Sequence, residues 1–413
     1  MKRYYDLVRH DPLWSKILSY FLVIFFIRLA DSLVSFWAPS LLQHSFDNSF
    51  TTGLIISFQS IVGLGADLVF PILLKKGTVK KLTVYTILMS AGAFIFFYIS
   101  GLRPLVVFFL ISMTIWGIYY ELAGFSVFQF MDNTVPPELR SGGWGVLDIF
   151  VSLAYFLGPL IAVWLLVKGN TLIVIFGLIL LFTAFLLLSF KNKMQDRPLE
   201  ATFDGIKPWH EVGYWATLLK TIWPLIVITF ITGFIDSTFW TTGVIWTVKL
   251  TRINPAGSLL LSLYTLPSLF MGLLVARWKV YHGKKRLALK FLVLSGLFLT
   301  GIFISNSVYW ILLMILTASM SLSIVAPLIT GVYSDIIGRL GKERKHLIGL
   351  TGGVVNLSYI IWPPIAGLIS NKVGEKMTFV IMGAITLILS IILFFVMPRK
   401  LKLPQDEISA WEN

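Results

Sequence analysis

Apolar runs of about 20 residues, each closed by a charged or turn-rich break, recur along this chain; as a helix rising ~1.5 Å per residue, such a run reaches across the hydrocarbon layer of a bilayer. Most of the 413 residues fall within these runs, and with 57% hydrophobic and only 13% charged residues the chain reads as a polytopic helical membrane protein. Twelve spans are predicted. In the first half they lie at roughly 17–41, 52–74, 82–101, 104–130, 145–167 and 170–190. In the second they lie at roughly 221–247, 256–278, 287–304, 308–333, 347–370 and 377–397. Cysteine is absent, so disulfides, thiol nucleophiles and thiolate metal sites are excluded.

Lysine and arginine orient the spans, because cationic segments are retained on the cytoplasmic side. Of the 34 such residues, 27 gather on one side and six (Arg103, Lys168, Lys249, Arg252, Lys372 and Lys376) on the other, while Arg28 lies within the membrane. Both termini are therefore expected in the cytoplasm, with the protein in the cell membrane. The net charge of +14 follows this topology and the anionic headgroups beside it rather than nucleic acid. The first apolar run carries Arg28 and Asp31 and leads straight into another span, so it reads as a permanent helix rather than a cleaved leader. The expected organisation is a bundle over 1–190, a cytoplasmic linker over 191–219, a second bundle over 220–398 and a cytoplasmic tail over 399–413. Within the linker, the run from Lys207 to Trp215 mixes aromatic and charged residues and suggests an interfacial helix along the membrane surface.

Two Asp-Ser pairs, Asp31-Ser32 and Asp236-Ser237, stand 205 residues apart. The same offset aligns Lys81-Leu82 with Arg286-Leu287, Ser90 with Ser295 and Pro159 with Pro364. This reads as a duplication: two parallel six-helix halves whose interface, near the bilayer midplane, is where a cavity is expected. The predicted fold is all-α, twelve transmembrane helices in two pseudo-symmetric six-helix bundles around a central cavity.

The segment from Phe130 to Gly143, with Asp132, Pro136-Pro137, Arg140 and Gly142-Gly143, resembles the loop between the fourth and fifth helices of the major facilitator superfamily. Ala154-Tyr155-Phe156-Leu157-Gly158-Pro159 is similar to the fifth-helix glycine-proline motif common in its antiporters, with Ala154 in place of the first glycine. The resemblance implies a secondary transporter working by alternating access. One departure stands out: the family's loop after the second helix carries an acid before Arg and Gly, whereas Leu73 to Lys81 here offers lysines, and the counterpart from Gly272 to Arg286 also lacks the acid. A charge lock built on those acids is not expected.

An ionised side chain near a helix centre disfavours insertion by ~2.5–3.5 kcal/mol, so each intramembrane charge needs a partner, a cavity or a proton. Arg28 and Asp31 share a helix face at i, i+3, and serve either as a self-neutralising structural pair or in substrate and proton handling. Asp236 has no such neighbour in its own helix and is the better proton carrier of the two. Asp67 and Glu121, about 12 and 15 Å from the cytoplasmic helix ends, complete the candidate proton-coupling set. Asp148 is expected to be a structural partner of Arg140 or a nearby lysine.

Candidate substrate-cavity residues are Arg28, Trp37, Gln59, Tyr119, Tyr120, Trp240, Asn356 and Tyr359. Aromatic faces with carboxylates suit lipophilic cations, whereas aromatics with Gln59, Asn356 and hydroxyls suit a sugar. Because intramembrane acids outnumber Arg28, the expectation is a proton-coupled exporter of amphipathic or cationic compounds, acting as a monomer; the alternative is an importer or facilitator of sugars or other small solutes. Gly158, Pro159, Pro363 and Pro364 are candidate bending points, and Arg140 joins them as a gating candidate. All five histidines fall in loops or at span ends, so neither a metal nor another cofactor is expected, and a membrane-embedded enzyme is disfavoured. A receptor of the same fold that transports nothing stays open.

Overall fold

The computed structural model describes residues 12–73, 77–191, 208–278, 283–340, 344–398 and 403. Most of the linker, the lysines at 75 and 76 and the tail lie outside the described residues. All regular structure among the described residues is helical. In the first half the helices are α1 (Pro12–Phe46), α2 (Ser49–Leu73), α3 (Val79–Leu102), α4 (Val106–Thr134), α5 (Pro137–Lys168) and α6 (Asn170–Lys191). The second half holds α7 (Pro208–Thr238), a π segment (Phe239–Gly243), α8 (Val244–Ile253), a 3-10 turn (Pro255–Leu259), α9 (Leu260–Thr265), α10 (Ser268–Arg277), α11 (Lys284–Gly301), α12 (Val308–Leu340) and α13 (Arg344–Val396).

Ten helical runs among the described residues are long and apolar enough to cross a membrane. They account for the twelve predicted spans once two irregularities are resolved. Gly374, at φ 84° and ψ 165°, breaks α13 into the eleventh and twelfth spans, since that backbone conformation suits a residue without Cβ. The eighth span is divided into the 3-10 turn, α9 and α10, with Pro255 opening the first piece and Pro267 preceding the last. The seventh span is the composite α7–π–α8.

The chain sorts into two compact units, residues 1–47 with 65–202, and residues 48–64 with 203–413. Within the first, α1 packs on α5 and α6, and α3 on α4 and α6. Within the second, α7 packs on α13, and α11 on α12 and α13. The first–fifth and third–fourth pairings of one half therefore recur as seventh–eleventh and ninth–tenth in the other. Close backbone approach sets several of these contacts. A Cβ on Gly296 would lie 2.7 Å from the Leu387 nitrogen, and one on Gly383 would lie 2.6 Å from the Thr300 nitrogen, so α11 and the twelfth span touch backbone to backbone. The start of α2 belongs to the second unit. There Asn371 accepts from the Ser49 N–H at 2.9 Å and donates to Asn48 at 2.8 Å, and Gly53 closes on the Pro363 carbonyl.

Of the stretch expected to form an interfacial helix, Lys207 lies outside the described residues. From Pro208 onward the stretch is the leading end of α7 itself. The Tyr214 ring packs at a tilt against His346 with centroids 4.4 Å apart, and Trp215 lies in van der Waals contact with Gly349 and Gly353.

Candidate functional site

Asp31 lies on α1 and is 1% exposed. Its Oδ1 accepts from the Trp116 indole at 2.9 Å, its Oδ2 accepts from the Tyr155 hydroxyl, and Tyr120 adds a third aromatic donor. Trp116 and Tyr120 are one turn apart on α4, so the same helix face delivers both; Tyr155 comes from α5. Arg28 Nη1 stands 3.6 Å from Asp31 Oδ2, and its guanidinium lies 5.9 and 5.7 Å from the ring centroids of Tyr119 and Tyr120. That places the charge where the ring quadrupoles attract it. Ser32 Oγ donates within its own helix to the Leu29 carbonyl at 2.8 Å and across to the Ala154 carbonyl at 3.1 Å. Gly158 closes directly on Ser32, where any Cβ would overlap the hydroxyl. The Asp-Ser pair thus ties α1 to α5 through both of its side chains.

The second Asp-Ser pair repeats part of this pattern. Asp236, half-buried on α7, accepts from Tyr264 of α9 at 2.5 Å through Oδ1, from Tyr359 of α13 through Oδ2, and from the Trp240 indole one turn on. Ser237 Oγ donates back to the Phe234 carbonyl at 3.1 Å, as Ser32 does to Leu29. Around it, Trp362 stacks on Phe234 at 4.7 Å and donates to Thr238 at 2.6 Å, and Tyr264 stacks on Phe239 at 3.8 Å. A Cβ on Gly233 would come within 2.7 Å of Ser358, so α7 and α13 meet as closely as small residues allow. Among the described residues no lysine or arginine forms an ion pair with Asp236. Directly after this cluster the helix widens into the π segment, an insertion often found at functional positions.

The structure brings together Arg28, Asp31, Tyr119 and Tyr120 in one unit, and Asp236, Trp240 and Tyr359 in the other. Neither Asp67 nor Glu121 is among the hydrogen-bond partners of the two aspartates; both are half-buried, on α2 and α4. Trp37 is fully buried in the core of its unit, where it stacks on Phe94 and donates to Asn170 at 3.0 Å. Gln59 on α2 and Asn356 on α13 are half-buried, Asn356 one turn before Tyr359. Helix α5 continues through Gly158-Pro159 and α13 through Pro363-Pro364. Arg140 pairs with Asp132 at 2.7 Å, rather than with Asp148, and donates to the carbonyls of Asp132 at 2.9 Å and Val135 at 3.2 Å. It therefore caps the end of α4. In the other half Lys284 and Asp335 pair at 2.7 Å, linking α11 to α12 without the acid missing from the loop before them.

Sequence reasoning passed over Tyr264 altogether and quoted Tyr155 only within its motif. A signal existed for the second: Tyr155 stands 124 residues after Asp31, and Tyr359 stands 123 residues after Asp236. Tyr264 sits 205 residues after Gln59, so the duplication pointed at its position but not at its chemistry. No group of three or more His, Cys, Asp or Glu residues among those described is arranged to hold a metal ion.

Known proteins of solved structure share this architecture. The human organic anion transporter TETRAN superposes with a TM-score of 0.64 at 17% identity, over 93% of this chain and 100% of its own. A peptide transporter POT bound to sulfate gives 0.71 at 14% identity, over 93% and 94%. The nucleoside transporter NupG gives 0.68 at 12% identity, over 92% and 100%. No curated protein matches the sequence significantly. The sequence profile of the Major Facilitator Superfamily matches residues 2–159 and 225–412. With most of its length inside that profile and its helices in the matching fold, the chain belongs to the Major Facilitator Superfamily and is a multi-pass membrane transporter of small solutes.

Proposed function

We propose that the protein is a proton-coupled secondary transporter in which Asp236 carries the proton, exporting amphipathic or cationic solutes across the cell membrane as a monomer with both termini in the cytoplasm. One observation carries this reading: the Asp236 carboxylate is half-buried, is held by Tyr264, Tyr359 and Trp240, and has no ion pair with a cation among the described residues. Hydrogen bonds to a charged acceptor contribute about 1.5–3 kcal/mol and those between neutral groups about 0.5–1.5 kcal/mol, so a proton on Asp236 weakens its hold on α9 and α13 together. The π segment beside it gives α7 a place to rewind as that hold changes. Asp31, by contrast, stays a carboxylate beside Arg28. The aromatic rings around both aspartates support an amphipathic solute. Gly158, Pro159, Pro363 and Pro364 are the bending points of this reading, and Arg140 steadies the end of α4.

A membrane potential of ~100 mV supplies ~2.3 kcal/mol per proton, enough for a roughly 50-fold substrate gradient. The test is transport by the full-length protein in proteoliposomes under an imposed proton gradient, with lipophilic cations and aryl amphiphiles as solutes. Wild type should accumulate a solute against its gradient; Asp236→Asn should lose that accumulation and keep exchange down a gradient. Undiminished accumulation by the Asn variant would sink the proposal.

A further inference from the structure

Helix α11 opens against its own dipole. A helix N-terminus carries partial positive charge and is stabilised by acids, yet the first turn of α11 holds no acid and three cations, Lys284, Lys285 and Arg286. Part of that charge is engaged inside the protein. Lys284 lies along Gly331 and pairs with Asp335 at 2.7 Å, and Lys285 donates to the Pro398 carbonyl at 2.7 Å. Arg339, one turn beyond Asp335 at the end of α12, brings a further cation, near enough that its charge and that of Arg286 both act on Lys285. Arg286 and Lys290 stand one turn apart on α11; both are exposed, and among the described residues neither forms an ion pair. The same face runs on through Leu294 and Leu297, 41% and 52% exposed. Cations at the start of a helix face and exposed leucines over its next two turns follow the order of a phospholipid, headgroup and then chain. The first half lacks most of this arrangement. At the 205-residue offset Lys80 and Lys81 stand for Lys285 and Arg286, but Val79, Tyr85 and Thr134 occupy the places of Lys284, Lys290 and Arg339. Retention of cations on one side of the membrane does not require such a concentration at one helix.

We propose that the lysine-rich end of α11 is a binding site for an anionic phospholipid, with the phosphate held by Arg286 and Lys290 and an acyl chain lying along Leu294 and Leu297. Cations at a bilayer surface attract anionic headgroups, and a guanidinium adds a planar fork that matches phosphate oxygens. Lys290 lies ~6 Å deeper along the axis than Arg286, and its flexible apolar stem carries the ammonium back toward the headgroup level. From Lys290 to Leu297 the helix rises a further ~10 Å, so a chain anchored at the phosphate runs down the exposed leucines. A free phosphate gains nothing from those leucines, and a zwitterionic lipid brings its own cation against Arg286. The bound anion also offsets the repulsion among Lys285, Arg286 and Arg339, which steadies the start of α11 against α12.

The site requires only that the chain spans a membrane, and its test involves neither a proton gradient nor a solute. Full-length protein in uncharged detergent is titrated with dioleoylphosphatidylglycerol, with dioleoylphosphatidylcholine and with glycerol 1-phosphate, following bound lipid by native mass spectrometry and stability by thermal melting. Wild type should bind phosphatidylglycerol at least about tenfold more tightly than phosphatidylcholine, and glycerol phosphate more weakly than phosphatidylglycerol. Arg286→Gln combined with Lys290→Gln should weaken phosphatidylglycerol by about tenfold to thirtyfold and leave phosphatidylcholine within about twofold of wild type. Both side chains are exposed, and Lys290→Gln alone, a milder change, should still weaken phosphatidylglycerol by about fivefold. Lys80→Gln combined with Lys81→Gln removes the same charge from the equivalent turn of α3 and should change phosphatidylglycerol binding by less than about threefold. Equal affinity of wild type for the two lipids would overturn the site. So would equal losses in the two double variants, which would mark a diffuse cationic belt, or glycerol phosphate binding as tightly as the lipid, which would mark a site for free phosphate.

Discussion

Asp31 and Asp236 occupy equivalent places in the two halves, each followed by a serine that bonds back into its own helix and each held by a tyrosine from the fifth helix of its half. Their surroundings diverge. Asp31 is sealed, sits next to Arg28 on an uninterrupted helix, and takes its other donors from α4. Asp236 is half-buried, has no cation paired with it among the described residues, takes Tyr264 from the broken eighth span, and is followed by a π segment. The shared part is the contact between the first and fifth helices of a half. What differs is the electrostatic setting, so one copy suits a fixed ion pair and the other suits an exchangeable proton.

The largest expected effect sets the two acids directly against each other. Asp31→Asn leaves Arg28 buried without a counterion, and breaking a buried pair in this way costs about 3–5 kcal/mol. Asp236→Asn strands no cation and should unfold near the wild-type temperature in a thermal melt. Equal losses of stability in the two variants would erase the distinction. Next in size are the tyrosines: Tyr155→Phe and Tyr359→Phe each remove a bond to a carboxylate, about 1.5–3 kcal/mol. For Tyr155→Phe this should show as a lower melting temperature. For Tyr359→Phe the account expects a displaced pH profile of transport.

Helix contacts come third. Gly158→Ala puts a methyl onto the Ser32 hydroxyl, and overpacking of this kind costs about 1–3 kcal/mol. Gly233→Ala, where the added Cβ would stand 2.7 Å from Ser358, should cost less, and a melt of each variant ranks them. The smallest effect belongs to the half-exposed ion pairs: Lys284→Ala should change stability by about 1 kcal/mol or less.

The fold was legible because the membrane imposes one rule on every span, an apolar run of fixed length, and residues such as Gly374, Pro255 and Pro267 only cut those runs without changing their number. Orientation within the fold was harder. The aromatic run ending at Trp215 packs on Gly349 and Gly353, more than 130 residues away in the chain, and no local pattern signals that contact. The site was half visible for a similar reason. An acid inside an apolar run announces itself, whereas Tyr155 and Tyr264 are ordinary aromatics until the helices come together. Arg28 and Asp31 were read as neighbours from i, i+3 spacing, which is correct. That Trp116 and Tyr155 also hold the Asp31 oxygens is a tertiary fact that no spacing signals.

The central claim is that the proton resides on Asp236 and not on Asp31. Infrared difference spectroscopy of the full-length protein, taken between high and low pH in lipid, reads it directly through the carbonyl band of a protonated carboxylic acid. The account predicts a band that disappears in Asp236→Asn and survives in Asp31→Asn. A band that survives in Asp236→Asn and disappears in Asp31→Asn would contradict it.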